Sequence, residues 1–190
     1  MKVVCLLGSP RPKGNSAAVA AKFMETAESL GAQTQTFLLN KLDYKGCQAC
    51  YVCKTKQDHC ALNDGLTPVL EAVRDCDIMV VATPIYYAEV SSQTKAFIDR
   101  TFSYVKPDYL TNPQPSHLEP GKKGVWIIAQ QGAEQAHAAD VFPRYDFFFK
   151  WYGFENHLIR AVGVHEPGEV LARNDVMAQA ENLAKQLITG

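Results

Sequence analysis

The chain has 190 residues, 47% hydrophobic and 21% charged, with 19 Lys and Arg against 20 Asp and Glu. That size and balance suit one globular domain (residues 1–190) and exclude a disordered tail, a coiled coil or a fibrous protein. A formal charge of -1 leaves no electrostatic footprint for nucleic acid or for an anionic membrane.

In chain order, the apolar, β-branched run at 2–7 predicts a strand buried on both faces, ending at Gly8-Ser9-Pro10. This run is too short for a signal peptide or a membrane span, and no later run is long enough, so a cytoplasmic protein with reduced thiols is expected. Residues 15–30 carry apolar side chains at helical spacing and stop at Gly31; 33–39 reads as a second strand. Residues 46–63 have no useful period and read as a cysteine-rich loop insertion. A short helix is predicted over 65–75, and the clearest strand over 77–82, ended by Thr83-Pro84. A helix over 91–105 buries Phe97, Ile98 and Phe102. The stretch 106–121 holds four prolines and reads as a long loop. A strand at 124–129, an aromatic-rich helix at 140–152, a strand at 158–164 and a helix at 168–188 complete the chain.

Five strand–helix alternations call for an α/β fold: a doubly wound, five-stranded parallel sheet of order 2-1-3-4-5 with helices on both faces. Ligands of such folds sit beyond the carboxyl ends of the strands. The loop after the first strand reads Gly8-Ser9-Pro10-Arg11-Pro12-Lys13-Gly14-Asn15-Ser16. It runs into a helix N-terminus, where free N–H groups and the helix dipole suit a phosphate. Ser9, Asn15 and Ser16 add side-chain donors and Arg11 a charge-assisted one. The plainer alternative is a capped helix start, since Asn and Ser are good caps. After the third strand, Thr83-Pro84-Ile85-Tyr86-Tyr87 offers an aromatic wall and backbone amides, which a flavin ring needs. An ordinary turn before an amphipathic helix is the competing reading.

Gly-Ser-Pro-Arg with Gly-Asn-Ser, then Pro-x-Tyr and Lys95-Ala96-Phe97-Ile98-Asp99-Arg100, resembles the NAD(P)H-dependent FMN reductases of the flavodoxin-like superfamily, which includes the iron–sulfur flavoproteins. The resemblance implies a flavodoxin-like fold. It implies Ser9, Arg11, Asn15 and Ser16 as ligands of the FMN phosphate, and Pro84, Ile85, Tyr86 and Tyr87 as isoalloxazine contacts. NAD(P)H is the implied electron donor; quinones, nitroaromatics, free flavin or a protein are the implied acceptors. A homodimer or homotetramer is expected. The Lys95 to Arg100 stretch is assigned to fold and dimer packing, and no residue is assigned as catalytic.

Cys47, Cys50, Cys53 and Cys60 form a compact thiol set. Such a set suits an iron–sulfur cubane, structural zinc, redox dithiols, or free thiols packed beside the flavin. The spacing resembles the cysteine motif of the iron–sulfur flavoproteins, which implies a [4Fe–4S] cluster and electron relay to ferredoxin-like partners. Cys5 and Cys76 read as small core residues. His59, beside Cys60 in a polar loop, reads as solvent-exposed rather than as a ligand; His117, His137, His157 and His165 share no ligand spacing, and Phe147, Phe148, Phe149 and Trp151 read as core or oligomer contacts.

Overall fold

Continuous apolar runs in strands leave no polar face for water, so the sheet that they build must be covered on both sides. The computed structural model describes every residue except Gln135. Its elements are β1 (Lys2–Leu7), α1 (Asn15–Ser29), β2 (Gln33–Leu38), the single turn α2 (Val52–Thr55), α3 (Thr67–Asp75), β3 (Ile78–Tyr86), β4 (Glu89–Val90), α4 (Ser92–Arg100), β5 (Lys122–Gln130), α5 (Val141–Trp151), β6 (Phe154–Val162) and α6 (Asn174–Thr189).

The sheet runs β2-β1-β3-β5-β6, all parallel, and β4 pairs antiparallel with the outer end of β3. The parallel strands follow the expected order, but the count is six, because the two-residue β4 folds back from β3. Side chains alternate between the faces. Val3, Cys5, Ile78, Val80, Val125 and Ile127 pack under α1 and α6, against Val19, Phe23, Ala180 and Leu187. Val4, Leu6, Met79, Val81, Trp126 and Ile128 face the other way, onto Leu70, Phe97 and Phe149.

Pro84 does not end β3, contrary to the sequence expectation: it pairs in register with Ala129, and the strand continues to Tyr86. The reason lies in the alternation of hydrogen-bonding sides. Ala82 O accepts from Gly8 N on the β1 side, so Pro84, two residues on, also faces that side. There β1 has ended, and the missing N–H has no ladder partner to forgo. Three other boundaries shift. The helix expected over 91–105 leaves α-geometry after Arg100 and closes in a 3-10 turn, Thr101–Tyr104. The last helix is preceded by a separate 3-10 turn, Glu169–Ala172. β6 starts at Phe154 because an edge strand tolerates Glu155, Asn156 and His157, which hide its period.

Of the aromatic patch on α5, Phe149 is buried against Trp126 with ring centroids 5.2 Å apart, while Phe147 and Phe148 stay exposed. Among the described residues no helix is long and apolar enough to cross a membrane.

Candidate functional site

The carboxyl ends of β1, β3, β5 and β6 border a cleft of about 160 Å³. Its floor is the β1–α1 loop. Gly14 precedes α1 in extended conformation, and no side chain among the described residues caps the helix. Asn15 and Ser16 are therefore the first helical residues rather than caps. The first N–H groups of an uncapped helix lack intrahelical partners, and Gly14, Asn15 and Ser16 all line the cleft. The loop is wound tightly around Gly14, where a Cβ would sit 3.1 Å from both Arg11 O and Ser9 Oγ. Ser9 Oγ accepts from Arg11 N at 3.1 Å, which turns the chain over the helix end. Arg11 is exposed at the mouth, with Nη1 donating to His165 O at 3.3 Å.

One wall is the outer part of β3. Pro84, Ile85 and Tyr86 line the cleft. Tyr87 does not: it forms the hairpin tip with Ala88, fully exposed, both residues with positive φ (48° and 60°). Below the hairpin, Ser91 caps α4. Its Oγ accepts from Thr94 N at 3.3 Å and donates to Gly8 O at 2.6 Å. The β1–α1 loop and the aromatic wall thus share one buried hydroxyl.

The opposite wall was not anticipated from sequence. Val164, His165 and Pro167, between β6 and α6, line the cleft, because α6 packs beside α1 and brings its preceding loop next to that of α1. Asn15 makes this connection. Its Oδ1 accepts from Gly168 N and Val170 N at 3.1 and 3.2 Å, and its Nδ2 donates to Glu166 O at 3.0 Å. The Asn15 amide is thereby used within the chain. Gln130 and Gln131 complete the lining. The Gln130 amide braces the next loop, donating to Gly132 O and Glu134 O and accepting from Arg160.

The four clustered cysteines lie apart from this cleft and line one pocket of about 20 Å³ with Arg100 and Phe102. Ala49 and Tyr51 adopt positive φ on either side of Cys50, which turns the loop back on itself. Cys47 and Cys50 are exposed, Cys53 and Cys60 half-buried. Among the described residues no three Cys, His, Asp or Glu side chains come together as a metal-ion site. Burial pushes the Cys53 thiol up, with Lys54 opposing. Cys5 and Cys76 are buried, and burial pushes both thiols up to about 12, which leaves them inert in the core.

Comparison with known proteins accords with this arrangement. The curated iron-sulfur flavoprotein of Methanosarcina thermophila is 32% identical over 101 residues, 53% of this chain and 52% of that protein. The chain spans about half the length of the curated relatives of this kind that it matches. An FMN-dependent NADH-azoreductase of Bacillus anthracis, solved in complex with FMN, superposes with a TM-score of 0.73 at 17% identity, over 98% of this chain and 99% of that one. An NAD(P)H:quinone oxidoreductase of Methanothermobacter marburgensis gives 0.73 at 16% identity, over 98% and 96%. Both share the flavodoxin-like fold. The model of the NADPH-dependent FMN reductase family matches residues 1–141, which include the β1–α1 loop, the β3 wall and the cysteine segment, and the chain belongs to that family of oxidoreductases.

Proposed function

We propose that the cleft binds FMN and that the protein oxidises NAD(P)H, passing the electrons to a small-molecule acceptor such as a quinone, a nitroaromatic or free flavin. The observation that carries this reading is the uncapped N-terminus of α1 lying in one cleft with the Pro84–Ile85–Tyr86 wall. The residues suit a phosphate-headed flavin. Ser9, Arg11, Ser16 and the N–H groups of Asn15 and Ser16 take the phosphate. Pro84, Ile85 and Tyr86 lie along the ring, and the exposed Tyr87 stands outside the cleft. Bound FMN would supply hydride acceptance and electron release. The chain's own part is to hold the phosphate, wall the ring and shape access to it. Family membership and the azoreductase and quinone-oxidoreductase neighbours support the same reaction class. We further infer a cytoplasmic, single-domain homodimer or homotetramer.

Titration of flavin-free protein with FMN and with riboflavin tests the assignment. Arg11→Ala should weaken FMN about tenfold, the lower end of a charge-assisted hydrogen bond, and leave riboflavin unchanged. Equal weakening of both ligands, or no flavin binding by the unmodified chain, would reject it.

The thiol pocket favours a second reading, an iron–sulfur flavoprotein that relays electrons between FMN, a [4Fe–4S] cluster and ferredoxin-like partners. Cys47, Cys50, Cys53 and Cys60 supply four thiolates from one pocket, the donor chemistry such a cluster takes. Cys50→Ser should abolish cluster-linked transfer under this reading, and leave NAD(P)H oxidation nearly intact under the first.

A further inference from the structure

Arg100 is among the largest fully buried side chains, 1% exposed, at the end of α4. Its Nη1 donates to Lys45 O and Asp64 Oδ2, both at 2.8 Å. Its Nη2 donates to Leu62 O at 3.2 Å and Asp64 Oδ1 at 3.3 Å. The remaining donor, Nε, is buried with no hydrogen-bond partner among the described residues. A cation's N–H left unpaired inside a protein is costly and rare enough to need a cause. Arg100 lines the pocket of the four cysteines and shares that lining with Cys60 and Leu62.

A second cation is held by Phe102, itself a residue of the same pocket. Lys54 Nζ donates to Phe102 O at 2.7 Å and to Val105 O, and sits 4.4 Å from the Phe102 ring centroid. Asp64 offsets part of the Arg100 charge; the Lys54 partners are neutral carbonyls and a ring. Arg100 therefore lines the thiol pocket, and the second cation is fixed on a residue that lines it.

We propose that Arg100 and Lys54 are positioning residues that set the charge, and so the reduction potential, of the sulfur-ligated group held by Cys47, Cys50, Cys53 and Cys60, with Arg100 Nε–H donating to a sulfur on the Cys60 side. The inference rests on the second reading above. Four thiolates make such a group anionic, and reduction adds one more negative charge. Nearby cations and N–H···S bonds favour the reduced state and raise the potential.

The test is a redox titration of anaerobically purified protein loaded with FMN and cluster, followed by EPR, with iron and sulfide assayed on the same samples. Arg100→Lys keeps the charge beside Asp64 and removes the Nε donor. Lys54→Met removes the second charge from a half-buried site, and supplies the reading if Arg100→Lys fails to fold. Both variants should hold the wild-type complement of iron and shift the cluster midpoint to more negative potential, while the FMN midpoint stays at its wild-type value. Iron-replete variants with an unmoved cluster midpoint would overturn this inference alone. Wild-type protein that binds no iron would overturn the cluster reading and this inference with it.

Discussion

Ser91 Oγ donates a 2.6 Å hydrogen bond to the carbonyl oxygen of Gly8, so the cap of α4 also anchors the end of β1. The two chain segments are in such close contact that a Cβ on Gly8 would lie 1.8 Å from Thr94 Oγ1 and 3.1 Å from Ser91 Oγ. Both hydroxyls are buried and hydrogen-bonded to each other at 3.0 Å, so neither side chain has room to turn away. Gly8→Ala should destabilise the fold by about 3 kcal/mol, the upper range for overpacking, and weaken flavin binding by displacing the β1–α1 loop. Adding Thr94→Ala should recover part of the loss. A Gly8→Ala melting curve that overlies wild type would contradict the crowding.

Asn15 joins the β1–α1 loop to the β6–α6 connection by three hydrogen bonds. Asn15→Ala leaves the buried N–H of Val170 without an acceptor. The expected loss is about 2–3 kcal/mol, at about 1 kcal/mol for each bond. Asn15→Asp retains the Oδ1 acceptor and should recover part of that stability, yet place a negative charge beside the proposed phosphate. Its flavin affinity should therefore fall further than its stability. Denaturant unfolding and FMN titration of both variants check this; parallel losses in the two assays would mean that Asn15 acts through folding alone.

The Arg100–Asp64 pair gives the protein an acid limb. Burial works to raise the Asp64 pKa, but hydrogen bonds from Arg100 and from the Leu66 and Lys45 N–H groups outweigh it and hold the carboxyl below its ordinary value. A pKa depressed by folding contributes stability that is present above the unfolded value, near ~3.9, and is lost as pH falls through the folded one. Asp64→Asn should cost about 3 kcal/mol at neutral pH, since it strands a buried guanidinium. The gap to wild type should narrow below about pH 4. Thermal melts from neutral to acidic pH measure it, and a gap that does not change with pH would exclude this carboxylate as the source.

At the hairpin tip, Tyr87 and Ala88 both hold positive φ between the paired residues of β3 and β4. A two-residue turn of this kind favours Asn and Gly, and each ordinary residue there carries roughly 1–2 kcal/mol of strain. Ala88→Gly should raise stability by about 1 kcal/mol, part of the relief being offset by chain entropy. A lowered melting temperature would show that the tip is not strained in solution.

Much of this protein is legible in its residues. Continuous apolar strands alternating with amphipathic helices dictate a parallel sheet covered on both faces, because no other layer arrangement buries both sides of Val80–Val81 and Val125–Ile128. The glycine-, serine- and asparagine-rich loop after β1 and the Pro-Tyr segment of β3 mark the ends of strands where a doubly wound sheet opens its crevice. Tertiary packing decided the rest. The role of Asn15 depends on a loop about 150 residues away, and no local pattern tells a phosphate ligand from a brace. His165 and Pro167 enter the cleft because α6 lies against α1. Pro84 stays inside its strand because β1 ends just before reaching it. Arg100 looks like the last polar residue of a helix, and only the folded chain encloses it beside Asp64 and four thiols. Local sequence encodes period and turn chemistry, whereas a side chain's partners are set by which distant segments the sheet order makes neighbours.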